Sequence, residues 1–170
     1  MRPNSDEYAP YYGQYISKVP DDGVDVVHHL MDQHHETVEA LRKAKSKGDY
    51  AYAEGKWTVK DVIEHICDAE RVFAYRALRI GRGDKTPLPG FEQDDYVKAA
   101  QAGRRTMDDL LDELWSVRAA TLSLAKHLPK DALTLKGTAS GNPISVRALL
   151  YIIAGHERHH LALLKERYGV

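Results

Sequence analysis

Cysteine, net charge and long apolar runs are all scarce in this chain, and each scarcity removes a class of protein. A single cysteine, Cys67, among 170 residues excludes an internal disulfide and fits a reducing compartment. The 24 Lys and Arg residues are balanced by 25 Asp and Glu. Without a basic surplus there is no electrostatic case for a nucleic-acid partner. No apolar run approaches the roughly 18 residues that a membrane span needs. The opening Met1-Arg2-Pro3-Asn4-Ser5-Asp6-Glu7 is polar, with no signal-peptide core behind it. These absences predict a soluble cytoplasmic protein, with neither nucleic acid nor membrane as partner. The length suits one domain with a sizeable core, so residues 1–170 are read as a single domain. Histidine is the exception to this scarcity, and its nine occurrences make their placement the central question.

Hydrophobic periodicity supplies four long helices. From about Val24 to Lys45, a stripe of Val27, Leu30, Met31, His34, Val38 and Leu41 recurs at helical spacing. Gly48 and Gly55 break it. Thr58-Val59-Lys60-Asp61 resembles a capping box, with Asp where the longer Glu is usual. It opens a second helix from about Val59 to Ile80, with Val62, Ile66, Ala69, Phe73 and Ala77 inward. Thr106-Met107-Asp108-Asp109 opens a third, carrying Leu110, Leu111, Leu114, Val117 and Leu124 and closed by Pro129. Ser145 caps a fourth that runs to Tyr168, between Pro143 and Gly169.

The connections are read more coarsely. Residues 1–20, with Tyr8, Tyr11, Tyr12 and Tyr15, form an aromatic arm laid over the domain, because disordered segments are poor in aromatics. Residues 81–105 form a long crossover with a short helix near Asp95–Ala100, and Leu133-Thr134-Leu135 is at most a brief extended piece. Four long helices and no strand set predict an all-α four-helix bundle. The short first link predicts that helices one and two are antiparallel neighbours. The crossover is long enough for helix three to run parallel to helix two.

The fourth helix carries Gly155-His156-Glu157-Arg158-His159-His160. Leu149, Ile153, His156, His160 and Leu164 recur at intervals of three and four, one face of a helix. At roughly 100° per residue, His156 and His160 are about 40° apart around the axis and one turn apart along it. They present two nitrogen ligands to one ion. Without an ion, buried ring nitrogens need other partners or carry a desolvation penalty on the order of several kcal/mol.

A metal site needs at least one more protein ligand. His65 lies about 10 Å from the start of helix two, and His160 about 12 Å from the end of helix four. If those helices are antiparallel the heights match. His65, His156 and His160 then meet inside the bundle, with a coordination position open to water or substrate. Metal binding is expected to fade below about pH 6, where free imidazoles protonate. His159 points away from the stripe, and Cys67 lies about 200° around the helix from His65, which takes it out of the ligand set. Glu157 is a candidate to orient a metal-bound water, against the plainer reading of a solvated or salt-bridged Glu. A closed site would need a fourth group such as Glu70 or Asp68. His28, His29, His34 and His35 read as a partly solvated helix face, and His127 as a helix-end residue favoured by the dipole.

The run Trp57-Thr58-Val59-Lys60-Asp61-Val62-Ile63-Glu64-His65-Ile66-Cys67-Asp68-Ala69-Glu70, with Gly155-His156-Glu157-Arg158-His159-His160, resembles the DinB/YfiT-like superfamily. The resemblance extends from the tyrosine-rich start through Phe91-Glu92-Gln93-Asp94-Asp95-Tyr96 and covers nearly the whole chain. It implies a bundle of up-down-down-up topology, and a divalent metal held by three histidines that fall on His65, His156 and His160. It also implies a homodimer. Its activities are of two kinds, transfer of low-molecular-weight thiols and metal-dependent hydrolysis. The expected function is therefore a metal-dependent enzyme of thiol S-transferase or hydrolase type acting on a small-molecule substrate. A catalytically silent metal-binding or interaction protein is the alternative. Imidazole ligands suit zinc or nickel, and iron or copper as well, so ligand type does not choose the ion.

His156-Glu157-Arg158-His159-His160 also satisfies H-E-x-x-H, the zinc-protease pattern. The extended form of that pattern needs Gly and His where this chain has Leu163 and Glu166. No edge strand is visible to hold a peptide, so the peptidase reading is set aside.

Overall fold

Four long helices begin where the sequence places a side-chain acceptor, the first at Asp25, whose Oδ1 accepts from the Val27 amide at 2.8 Å. Thr58 Oγ1 accepts from the Asp61 amide at 3.2 Å, and Asp61 Oδ2 accepts from the Thr58 amide at 2.9 Å. The shorter Asp therefore closes the box. Thr106 and Asp109 repeat the arrangement, and Ser145 Oγ accepts from the Ala148 amide at 3.1 Å. In the computed structural model, which describes residues 1–170, the helices are α1 (Gly13–Ile16), α2 (Val26–Lys43), α3 (Val59–Gly81), α4 (Gln93–Ala100), α5 (Met107–Lys126) and α6 (Val146–Leu163). A π-helical turn, Leu164–Tyr168, continues α6. None of these helices is long and apolar enough to cross a membrane.

Four of them form the bundle. Both α2 and α3 pack against α5 and α6, so they face each other across its diagonal. This corrects the expectation that the first link joins neighbours. Residues 44–58 are ample to cross a bundle at about 3.3 Å per residue, so the link did not constrain adjacency. Directions follow from the contacts. Leu30 meets Arg118 while His35 meets Trp115, so α2 and α5 are antiparallel. Glu64 meets Arg105 while Glu70 meets Arg118, so α3 and α5 are parallel. His65 meets His160 while Gly81 abuts Val146, so α3 and α6 are antiparallel. The topology is up-down-down-up.

A hairpin was not foreseen. β1 (Lys136–Ala139) and β2 (Asn142–Ser145) pair antiparallel, with Lys136 opposite Ser145 and Ala139 opposite Asn142. Ser140 and Gly141 turn between them with φ of 50° and 75°, the positive values that a two-residue hairpin turn requires. Strands of four residues containing Gly137 and Pro143 are too short to print an alternation on the sequence. The stretch Leu133-Thr134-Leu135, read as a brief extended piece, lies just before the hairpin, and Asp131–Thr134 forms a 3-10 turn. Leu88 bridges to the end of β1 on either side of Ala139, its amide donating to the Thr138 carbonyl and its carbonyl accepting from the Ser140 amide. That pins the crossover to the bundle.

The apolar core comes in two parts. The first gathers Ala69–Ile80 of α3, Val146–Ala154 of α6 and the arm residues Tyr12, Ile16 and Val19. The second gathers Val59–Cys67 of α3, Met107–Val117 of α5, Leu164 and Tyr168. On α6 the residues between the two are His156 to His160, so the polar cluster sits at the joint. The arm is held by Glu7, which accepts from Ser145 Oγ and Arg147 Nε at 2.7 Å each. Tyr15 closes over Gly155 so tightly that a Cβ there would lie 2.0 Å from the Tyr15 carbonyl oxygen.

Candidate metal centre

The matched heights bring His65, His156 and His160 together. His156 Nε2 lies 3.1 Å from His65 Nε2 and 3.1 Å from His160 Nε2, and all three ligand atoms fall within 4.8 Å of one another. All three residues are buried. Burial pushes the His65 imidazole down to about 4, with the Asp94 carboxylate pulling the other way. His156 and His160 are driven well below the ordinary value by burial and by neighbouring imidazoles. A neutral imidazole nitrogen offers one hydrogen or one lone pair, so His156 Nε2 can make a good hydrogen bond to only one of its two neighbours. A cation shared by three lone pairs satisfies the whole set. The donor set therefore fits a divalent metal. His160 Nδ1, on the far side of its ring, is buried without a protein partner.

Aromatic side chains hold the rings. Trp57 packs on His65 with centroids 4.9 Å apart, and Tyr15 meets His156 edge-on at 5.3 Å. A cavity of about 310 Å³, walled by Tyr11, Tyr12, Tyr15 and Phe73, exposes His65 and His156. A second, of about 490 Å³, exposes His160 beside Trp57 and Tyr168. Asp94, in the first turn of α4, lines both. The sequence placed Asp94 in a resembling segment but gave it no role, because a crossover does not reveal which end of the bundle it covers.

The remaining sequence candidates fall elsewhere. His159 is half-buried against Tyr15 and outside the cluster, and Cys67 is buried among the apolar residues of the second core. His127 caps the end of α5, its Nδ1–H donating to the Ser123 carbonyl at 2.7 Å. On α2, His28 and His35 are exposed as expected, but His29 and His34 are buried. One histidine of each adjacent pair faces in and the other out, a partly solvated face, and α2 turns His34 toward Trp115 of α5 at 5.0 Å.

Glu157 is salt-bridged, the plainer of its two readings. Arg118 from α5 donates to Glu157 Oε2 at 2.7 Å, to Glu70 Oε1 and Oε2 at 2.8 and 2.7 Å, and to the Leu30 carbonyl at 2.8 Å. Gln33 also donates to Glu157. Burial pushes the Glu157 carboxyl up, but Arg118 and Gln33 outweigh it and hold it below its usual value. Glu70 is thereby committed to Arg118, and Asp68 faces Arg71 at 3.5 Å, so neither joins the imidazoles. Nothing in the sequence marked this network, since single charges on helices look alike whether they face water or each other.

Comparison with known proteins places these features. The sequence pattern of the DinB superfamily matches residues 24–164. A protein of Oceanobacillus iheyensis named "Putative metal-dependent hydrolase" is 26% identical over 132 residues, spanning 76% of this chain and 74% of its own. One of Geobacillus kaustophilus under the same description is 31% identical over 126 residues, 69% of each chain. Among solved structures, YfiT from Bacillus subtilis is described as a probable metal-dependent hydrolase with an unusual four-helix bundle topology. It superposes with a TM-score of 0.67 at 17% identity, over 99% of this chain and 94% of that one. The mycothiol-dependent maleylpyruvate isomerase superposes with a TM-score of 0.67 at 16% identity, over 86% of this chain and 61% of that one. The two structures share the fold, and the family pattern spans the bundle with all three histidines inside it: the chain belongs to the DinB superfamily.

Proposed function

We propose that this protein is a metal-dependent enzyme acting on a small molecule, with His65, His156 and His160 holding a divalent ion. The reading is carried by three neutral, buried imidazole nitrogens that converge where a tyrosine-walled cavity meets the bundle. Zinc or nickel suits that ligand set, and iron or copper is compatible with it. When bound, the ion supplies Lewis acidity, which activates water or an incoming thiol as a nucleophile near neutral pH. The names of the sequence relatives support hydrolysis. Thiol transfer requires a thiol brought in as cosubstrate, since Cys67 is buried in the second core.

The chain's own residues have distinct parts in this reading. Tyr15 and Phe73 fix the plane of His156, and Trp57 that of His65. Tyr11, Tyr12 and Tyr15 narrow the cavity and keep bulk water out of it. The exposed Asp94 carboxylate, over both cavities, takes the proton released by the nucleophile. Glu157 holds Arg118 and serves the bundle instead.

The test is to load untagged protein with cobalt and add azide or a small thiol. A change in the visible spectrum, followed by turnover when thiols and electrophiles or hydrolysable esters are screened, is the expected result. Asp94→Asn is expected to keep the metal and lose most of the turnover. Spectral silence toward every small ligand, in protein shown to carry cobalt at the three histidines, selects the catalytically silent alternative.

A further inference from the structure

Arg76 and Arg118 are the two largest side chains fully withdrawn from solvent. Arg118 is neutralised by Glu70 and Glu157. Arg76 forms no ion pair. Its Nη2 donates to the Pro89 carbonyl at 2.6 Å and to Ser140 Oγ at 3.1 Å, both neutral acceptors, and its Nε and Nη1 make no hydrogen bond to the protein. A buried cation without a counter-charge is strongly unfavourable unless something else supplies the charge.

The position of Arg76 says what would supply it. The side chain lines the same cavity as His65 and His156, and Ser140 lines it too. Phe73 bridges the two ends. Its ring centroid lies 6.0 Å from the His156 ring and 5.9 Å from Arg76 Cζ, so guanidinium and imidazole are at most about 12 Å apart. The guanidinium fork matches the geometry of a carboxylate. Glu92 and Asp94, exposed on the same cavity, work against polyanions and favour a ligand with a single negative group.

We propose that Arg76 and Ser140 form a carboxylate-binding subsite, so that the protein takes a small acid whose far end reaches the three histidines along Phe73. This rests on the metal-dependent reading above, and it names the substrate class that reading left open. Arg76 then selects the substrate and sets its direction in the cavity, with the reacting end toward the imidazoles.

The experiment uses cobalt-loaded protein and paired probes, 3-mercaptopropionate, 6-mercaptohexanoate and 8-mercaptooctanoate against the mercaptoalcohols of the same lengths. The cobalt–thiolate absorption reports binding. The best-fitting acid is expected to bind at least about ten-fold tighter than its alcohol, as a charge-assisted hydrogen-bond pair allows. Arg76→Met should reduce that preference to about two-fold or less and leave the alcohol's affinity unchanged, while Arg76→Lys should keep part of it. Ser140→Ala, an exposed turn position, serves if Arg76→Met does not fold, and should lower the preference several-fold. Equal affinity for acid and alcohol at every length, or an undiminished preference in the folded variants, overturns the subsite. If no thiol perturbs the cobalt spectrum, the open metal site is what fails. The subsite is then decided by melting temperature: hexanoate, and not hexanol, should raise it in the wild type and fail to do so in the variants, and no rise in the wild type overturns it.

Discussion

His156 and Glu157 are adjacent in sequence, both are buried, and each belongs to a polar cluster that ties α6 to its neighbours. The Glu157 cluster is closed. Two carboxylates and a backbone carbonyl surround one guanidinium, so each charge has a partner of opposite sign within the protein, and one acceptor, Glu157 Oε1, is left over. The His156 cluster is incomplete. Three neutral rings present nitrogens to one another with too few donors to satisfy them, and a tyrosine-walled cavity opens beside them. One residue step, about 100° of helix rotation, separates a site that holds the bundle together from one that waits for a charge from outside. Burial alone does not distinguish structural from functional polar groups; whether their partners are already present does.

The strongest way to break the closed cluster is to remove its centre. Arg118→Met leaves two carboxylates buried and unpaired, and is expected to destabilise the fold by about 3–5 kcal/mol, read from the urea midpoint. The open cluster should respond in metal content. Alanine at His65, His156 or His160 should abolish tight binding of cobalt or zinc. Chelation of the wild type should lower its stability by about 2.7 kcal/mol relative to protein with free metal at a hundred times the dissociation constant. An unchanged melting curve with metal loss verified would show that the ion does not stabilise the bundle.

Glu157→Gln separates the clusters more finely. It retains shape and leaves Arg118 paired with Glu70, so a loss of about 1–2 kcal/mol is expected, with metal content unchanged. Metal loss in this variant would join what the geometry divides. The pH response concerns the open cluster. His65 in the folded chain sits at about 4, below the ordinary 6.5 that applies when it is unfolded. The folded site therefore stays neutral through pH 6, and protons compete with metal only as the pH approaches 4, lower than the pH 6 expected of free imidazole. By the same sign, the metal-free fold has its full stability above pH 6.5 and loses part of it as the pH falls from 6.5 toward 4. Cobalt absorption and thermal melting across that window check both. The smallest effect belongs to His159→Ala, which should leave bound metal nearly unchanged.

The parts of this molecule visible in its sequence are those governed by local chemistry. Thr58 with Asp61, Thr106 with Asp109, and Ser145 mark helix starts because a cap involves residues three apart. The triad was legible because rise per residue converts sequence position into height, and His65 and His160 stand at matching heights. Failure came where a distant partner left no shared periodicity or matching height to mark it. Arg118 needs Glu70 and Glu157, Arg76 needs the turn at Ser140, and α2 faces α3 across the bundle in spite of their adjacency in sequence. Gly155 shows the same limit at a single position. It is compatible with a mid-helix spacer until the Tyr15 carbonyl is seen against it.

That contact also fixes an order of events during synthesis. The wall of the cavity, Tyr11 to Tyr15, is made about 140 residues before the helix surface that receives it. At roughly 5–20 residues per second the interval is on the order of ten seconds. Through that time the arm has no groove to lie in, and His65 is the only member of the triad yet translated. An ion would be held at the triad only after α6 has emerged and docked, since a stalled or truncated chain carries a single imidazole of the three. Loading is thereby coupled to completion of the bundle.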